Sequence, residues 1–148
     1  MATAPVSHSD SHDHGHHAPG FVEKYLWSTD HKMIAMQYMF TGMAMGLIGG
    51  YFAYAFRMQI AFPGVSVPGF GVVGPNEYNH LITNHGAIMI FWVAMPVLIA
   101  AFGNYLIPLM IGCDDMVFPK LNRLSYQIFL ISAVILIASF FVPGGGFA

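Results

Sequence analysis

The sequence predicts an all-α membrane protein with three transmembrane helices, and two observations carry that prediction. Only 8% of the residues are charged while 56% are hydrophobic, whereas about a quarter of a soluble domain is charged. The few charges are also unevenly spaced, with none between Lys32 and Arg57, none between Glu77 and Asp114, and none after Arg123. A helix needs about 20 apolar residues to cross the hydrocarbon core, so spans are expected at about 34–56, 81–109 and 123–142. Pro96 and Pro108 are expected to kink the second span or end it early. A net charge of −2, with five basic residues that form no patch, argues against a nucleic-acid partner and leaves the lipid bilayer as the surrounding medium. The single cysteine, Cys113, excludes an internal disulfide.

The rest of the chain falls into place around these spans. Residues 1–20 include the histidine-rich stretch "HSDSHDHGHHAPG". It encodes no fixed ligand geometry and reads as a solvated, disordered tail, with loose divalent-metal binding as the alternative. The tail is polar, so no cleavable signal peptide is expected. Residues 21–33, "FVEKYLWSTDHKM", read as an interfacial segment with aromatic anchors and "STD" as a helix start. The loop "AFPGVSVPGFGVVGP" (61–75) is too uncharged for a solvated linker and is expected to pack against the protein. Lys24 and Lys32 precede the first span, and Lys120 and Arg123 lie between the second and third. By the positive-inside rule, the N-terminus and the second loop face the cytoplasm.

Against this background His85 is conspicuous, because an ionisable residue inside a span is costly and is a functional candidate by default. Taken alone, it reads equally as a metal ligand or as a histidine satisfied by a carbonyl of a neighbouring helix. Neutral imidazole suits haem iron, and Met89, Trp92 and Pro96 share its helix face, with Gly86 beside it. On the first span Gly42, Gly46 and Gly50 form a four-residue repeat, best read as a helix-packing strip. Near the inner surface, Asn104 and Asn122 flank Asp114 and Asp115. Asparagine amides donate and accept without carrying charge and can order a water file, although spacing alone favours an acidic helix start with capping asparagines.

The stretches "WSTDHKMIAMQYMFTGM", "YNHLITNHGAIMIFWVAMPVLIAAFGNYLIPLMIGCDDMVFPKLNRLSY" and "LIASFFVPGGG" together resemble subunit I of haem–copper oxygen reductases, nearest the cytochrome c oxidase branch with a D-type proton channel. The resemblance covers residues 25–148. It implies the first part of a twelve-helix bundle, with residues 34–148 as its membrane region. It implies that His85 is an axial ligand of a low-spin haem and that Arg57 hydrogen-bonds the formyl group of haem a, haem b being the other type considered. Tyr78 and Met89 match positions on the haem side of the second helix. Asp115 matches the proton-channel carboxylate, and Asn104 and Asn122 match water-ordering asparagines.

The implied parent is a proton-pumping terminal oxidase, an oxidoreductase and translocase reducing oxygen to water, partnered by subunits II and III and by cytochrome c through subunit II. Its high-spin haem and copper would be held by ligands beyond this stretch, so no catalytic residue is expected within it. The sequence departs from the family at Arg123, where a second asparagine is common, and at Gln59, where some members carry an acidic metal ligand. The loop is longer than in mitochondrial versions, which points to the inner membrane of a bacterium. The ending "VPGGGFA" reads as a fragment of a longer chain. A small three-helix copper transporter using a Met39–Met43 step, or a cofactor-free assembly subunit, are the alternatives.

Overall fold

The computed structural model describes residues 20, 28–114 and 116–142. The tail, most of the expected interfacial segment, Asp115 and the last six residues lie outside this set. Helix α1 (His31–Ala61) is followed by a short hairpin of β1 (Ser66–Val67) and β2 (Gly71–Val72). A second rod is helical throughout Pro75–Ile111: α2 (Pro75–Ala87), a π-helical stretch Ile88–Ala101, and α3 (Phe102–Ile111). Helix α4 (Pro119–Ser139) is the third rod. All three are long and apolar enough to cross a membrane.

Local chemistry sets the helix ends. Asp30 occupies the N-cap of α1 in an extended conformation, and its backbone N–H donates to Ser28 Oγ at 3.1 Å. Its carboxylate makes no cap bond and lies 3.8 Å from His31 Nδ1, where it still complements the helix dipole. α1 ends just before Phe62–Pro63, because the residue preceding a proline is driven out of the helical region. α2 and α4 each start with proline, whose missing N–H costs nothing in a first turn. α3 ends at Gly112, which takes φ +71° and returns its N–H to the Pro108 carbonyl.

The second rod departs from expectation. It neither stops nor breaks at Pro96 or Pro108. Its middle runs in a π-helical register for 14 residues, a long run for this type of helix. The i→i+5 pattern moves hydrogen-bond partners around Pro96, which has no N–H to give. Apolar side chains face outward along all three rods; Leu47 is 79% exposed and Met110 81%. Such an exterior is natural where the solvent is lipid, because lipid tails are as apolar as leucine.

Tight packing is concentrated where α1 meets the second rod. A Cβ added at Gly42 would lie 2.6 Å from Val97 Cγ2. One at Gly49 would lie 3.0 Å from Met89 Sδ and 3.1 Å from Ile88 Cγ2, and one at Gly46 would lie 3.7 Å from Val93 Cγ2. The packing strip is therefore Gly42, Gly46 and Gly49. Gly50, the third member of the repeat seen in the sequence, is exposed and would meet nothing within 4 Å. The cause is helical periodicity: a step of seven residues returns closer to one face than a step of eight.

The hairpin accounts for the uncharged loop. Its two strands pair antiparallel, Ser66 with Val72 and Val67 with Gly71. Val67 and Val73 are buried in the same cluster as Phe52, Ala55 and Leu81. Phe70 stacks on Tyr51 at 5.9 Å, and the Tyr51 hydroxyl donates to the Pro68 carbonyl. Gly64, Gly69 and Gly71 adopt positive φ where the chain turns. The loop is thus folded back onto the ends of α1 and α2.

Replacing Gly42 with leucine is expected to destabilise the α1 contact by about 1–3 kcal/mol, the cost of overpacking a filled interface. Gly50→Leu is expected to change stability by less than about 0.5 kcal/mol. Unfolding of the two variants in mixed detergent micelles, followed by circular dichroism, checks the contrast.

Candidate functional site

The site is built around His85, near the end of α2. Its Nδ1 lies 2.8 Å from the backbone carbonyl of Gly49. A carbonyl only accepts, so a proton sits on Nδ1, and in the neutral imidazole Nε2 then keeps its lone pair. That is the tautomer a metal-bound histidine needs, with the second nitrogen oriented by a backbone acceptor. Phe56 meets the imidazole edge-on, with centroids 5.6 Å apart. The ring is half-buried, and a Cβ at neighbouring Gly86 would meet nothing within 4 Å.

Two more of the expected residues converge on the same part of α1. Met89, one turn after His85, places its sulfur against Gly49. Tyr78, two turns before His85, packs edge-on against Phe56 at 6.2 Å. Arg57 follows Phe56 directly and is exposed at the same end of α1. The broader slot expected from Met89, Trp92 and Pro96 takes a different form. Pro96 is buried, Trp92 packs on the core cluster, and Met89 turns toward Gly49, so this row seals the α1 contact. Gly49 and Phe56, which orient the imidazole, were not anticipated. A search for the glycine seven residues from Gly42, rather than eight, finds the first; nothing in the sequence marks the second.

The residues present fit an axial haem ligand. Among the described residues no cluster of three or more His, Cys, Asp or Glu could hold a bare ion. Haem brings its own four equatorial nitrogens and asks the protein only for axial ones, and His85 is prepared for that task.

The opposite end holds the asparagines. Asn104 is buried on α3. Asn122 lies in the first turn of α4, where its Nδ2 donates to Met116 Sδ at 3.2 Å. Asn122 lines a cavity of about 410 Å³ together with Pro108, Cys113 and Ser125. The structure shows no bond between the two asparagines. Asn122 instead joins a relay toward α1: Ser125 Oγ donates to its carbonyl at 2.6 Å, and the Tyr38 hydroxyl bonds Ser125 Oγ at 3.0 Å. With the serine proton already committed, Tyr38 is the donor in that second bond. Asp114 is exposed; Asp115 lies outside the described residues.

Similarity to known sequences identifies the family of the chain. Residues 33–148 match the family described as "Cytochrome C and Quinol oxidase polypeptide I". The alternative cytochrome c oxidase subunit 1 of Bradyrhizobium diazoefficiens is 42% identical over 130 residues, covering 88% of this chain and 21% of that protein. Cytochrome c oxidase subunit 1 of Cereibacter sphaeroides is 38% identical over 156 residues, covering 90% and 28%. The heme-copper oxidase subunit I+III of Aeropyrum pernix is 41% identical over 127 residues, covering 84% and 15%. The chain therefore spans no more than 28% of the length of these relatives. Because the match takes in all three membrane rods at once, the chain belongs to the cytochrome c and quinol oxidase polypeptide I family.

Proposed function

We propose that this chain is the N-terminal part of the catalytic subunit of a proton-pumping terminal oxidase, contributing one axial ligand of the low-spin haem and the entrance of a proton channel. The observation that carries the reading is the 2.8 Å contact between His85 Nδ1 and the Gly49 carbonyl. It fixes the tautomer and the ring plane and leaves Nε2 for iron. A low-spin haem bound there would relay electrons, arriving from cytochrome c through a copper centre on subunit II, to the high-spin haem–copper pair that reduces oxygen.

Each residue has a task in this scheme. His85 would hold the haem iron, and the Gly49 carbonyl would raise the basicity of that ligand. Arg57 would donate to the formyl group of a haem a, and its positive charge at the ring edge would raise the potential against the lowering effect of a more basic imidazole; the formyl contact favours haem a over haem b. Met89 and Tyr78 would act one step back from the haem, bracing Gly49 and Phe56, the two α1 residues against the imidazole. At the other end Asp115 takes up protons from the cytoplasm, and Asn122 and Asn104 order the water that carries them inward. The basic residues at that end support a cytoplasmic N-terminus in a bacterial plasma membrane. The partners are subunits II and III; the Aeropyrum relative carries subunits I and III in one chain.

His85→Ala in the full-length subunit is expected to abolish the low-spin haem band in a reduced-minus-oxidised spectrum of membranes that still contain the protein. An unchanged band would overturn the ligand assignment, and the wild-type band position separates haem a from haem b. Asp115→Asn is expected to slow oxygen consumption and proton uptake together by about 100-fold, in the range for loss of a proton-transferring group, with the haem spectrum intact. Retention of wild-type proton uptake would remove Asp115 from the channel.

A further inference from the structure

Gly86 follows His85 on α2, and nothing in the described structure requires a glycine there. Within a helix glycine is less favourable than alanine, because it loses more backbone freedom on folding. Its presence therefore asks for a cause, and the two ordinary causes are absent. Its φ is not positive, unlike that of Gly64, Gly69, Gly71 and Gly112, so no turn demands it. A Cβ added at Gly86 would meet nothing within 4 Å, whereas one at Gly42 or Gly49 would press on the second rod. No packed neighbour among the described residues demands it either.

The surroundings are those of a recess. Gly86 is half-buried; Gly50 is equally open, but it lies on the exposed face of α1 with Met43 and Leu47. Ile82 and Ile90, four residues before and after Gly86, share its side of the rod and are 41% and 53% exposed. The bare position is thus a notch between two branched side chains. A fluid acyl chain adapts to either outline, so lipid supplies no reason for it. His85 borders the notch, with Nδ1 held by the Gly49 carbonyl and Nε2 outside that bond. Haem is flat and much wider than the imidazole that ligates it, so a ring held at Nε2 needs clearance beside its ligand. Glycine is the residue for such a close approach.

We propose that Gly86 is the clearance position for the haem ring, and that its missing side chain determines whether the macrocycle can seat on His85. The inference rests on His85 as a haem ligand, but it concerns the room beside that ligand and not the bond to iron. It separates two states of the protein. A larger residue at 86 is harmless to the haem-free chain, whose space there is empty, and harmful only when haem enters.

The test uses the full-length subunit in its oxidase complex, carrying Gly86→Ala or Gly86→Leu. Membranes come from cells supplied with haem and from cells unable to make it. With haem supplied, Gly86→Leu is expected to lower the low-spin haem band per inserted subunit about tenfold, as overpacking of a filled contact does. Gly86→Ala is expected to stay within about twofold of wild type. Without haem, quantitative immunoblotting is expected to find both variants inserted in wild-type amounts. A haem band of wild-type strength in Gly86→Leu would overturn the proposal; if His85→Ala still lacked the band, the ligand assignment would stand alone. Depletion of Gly86→Leu from the haem-free membranes would overturn it too, because the notch would then receive a protein side chain.

Discussion

The close approach of α1 to the second rod is the constraint on which the rest of the structure depends. Side chains at Gly42 and Gly49 would run into Val97, Met89 and Ile88, so only bare backbone lets the two rods come this near. In a membrane, where lipid gives helices no hydrophobic reason to associate, such close packing is a principal source of cohesion. It also exposes the Gly49 carbonyl to a neighbouring side chain, and His85 is the side chain that uses it. One glycine thus serves packing and orientation together. The same contact pulls Met89 and Trp92 inward, so the imidazole is braced from α1 and not from its own helix.

The second rod shows how a bilayer changes the meaning of a proline. In water, Pro96 and Pro108 would mark ends, because freed carbonyls can turn to solvent. In hydrocarbon an unsatisfied carbonyl is expensive, so the chain keeps its ladder and shifts register instead. The π-helical stretch between Ile88 and Ala101 is the result. It joins the end bearing His85 to the end bearing Asn104 without a break.

Much of this was legible in the sequence, and the legible parts share a cause. Gaps between charges report where charge is forbidden, so three membrane rods could be read directly. His85 stood out because the bilayer makes any ionisable residue conspicuous. Gly49 was misassigned to Gly50 because a repeat of four looks regular on paper while a helix turns every 3.6 residues. The π register was invisible, since it depends on backbone bonding that no side chain announces. The hairpin at Ser66–Val72 could be foreseen as a packed loop from its lack of charge, yet the partners of Phe70 and Val67 could not. The Tyr38–Ser125 bond links positions 87 residues apart, a distance at which local pattern carries no information.

The separations along the chain also impose an order of assembly. The glycine strip and the folded hairpin need only α1 and the second rod, which emerge from the ribosome first and can pair as soon as both are inserted. Tyr38 and Thr41 find their partners on α4, 87 and 85 residues later. Until α4 arrives, those hydroxyls stand in lipid without the bonds they make in the finished structure. Among these three rods, the α1–α4 contacts therefore need a longer stretch of chain than the contact that sets the histidine against its carbonyl.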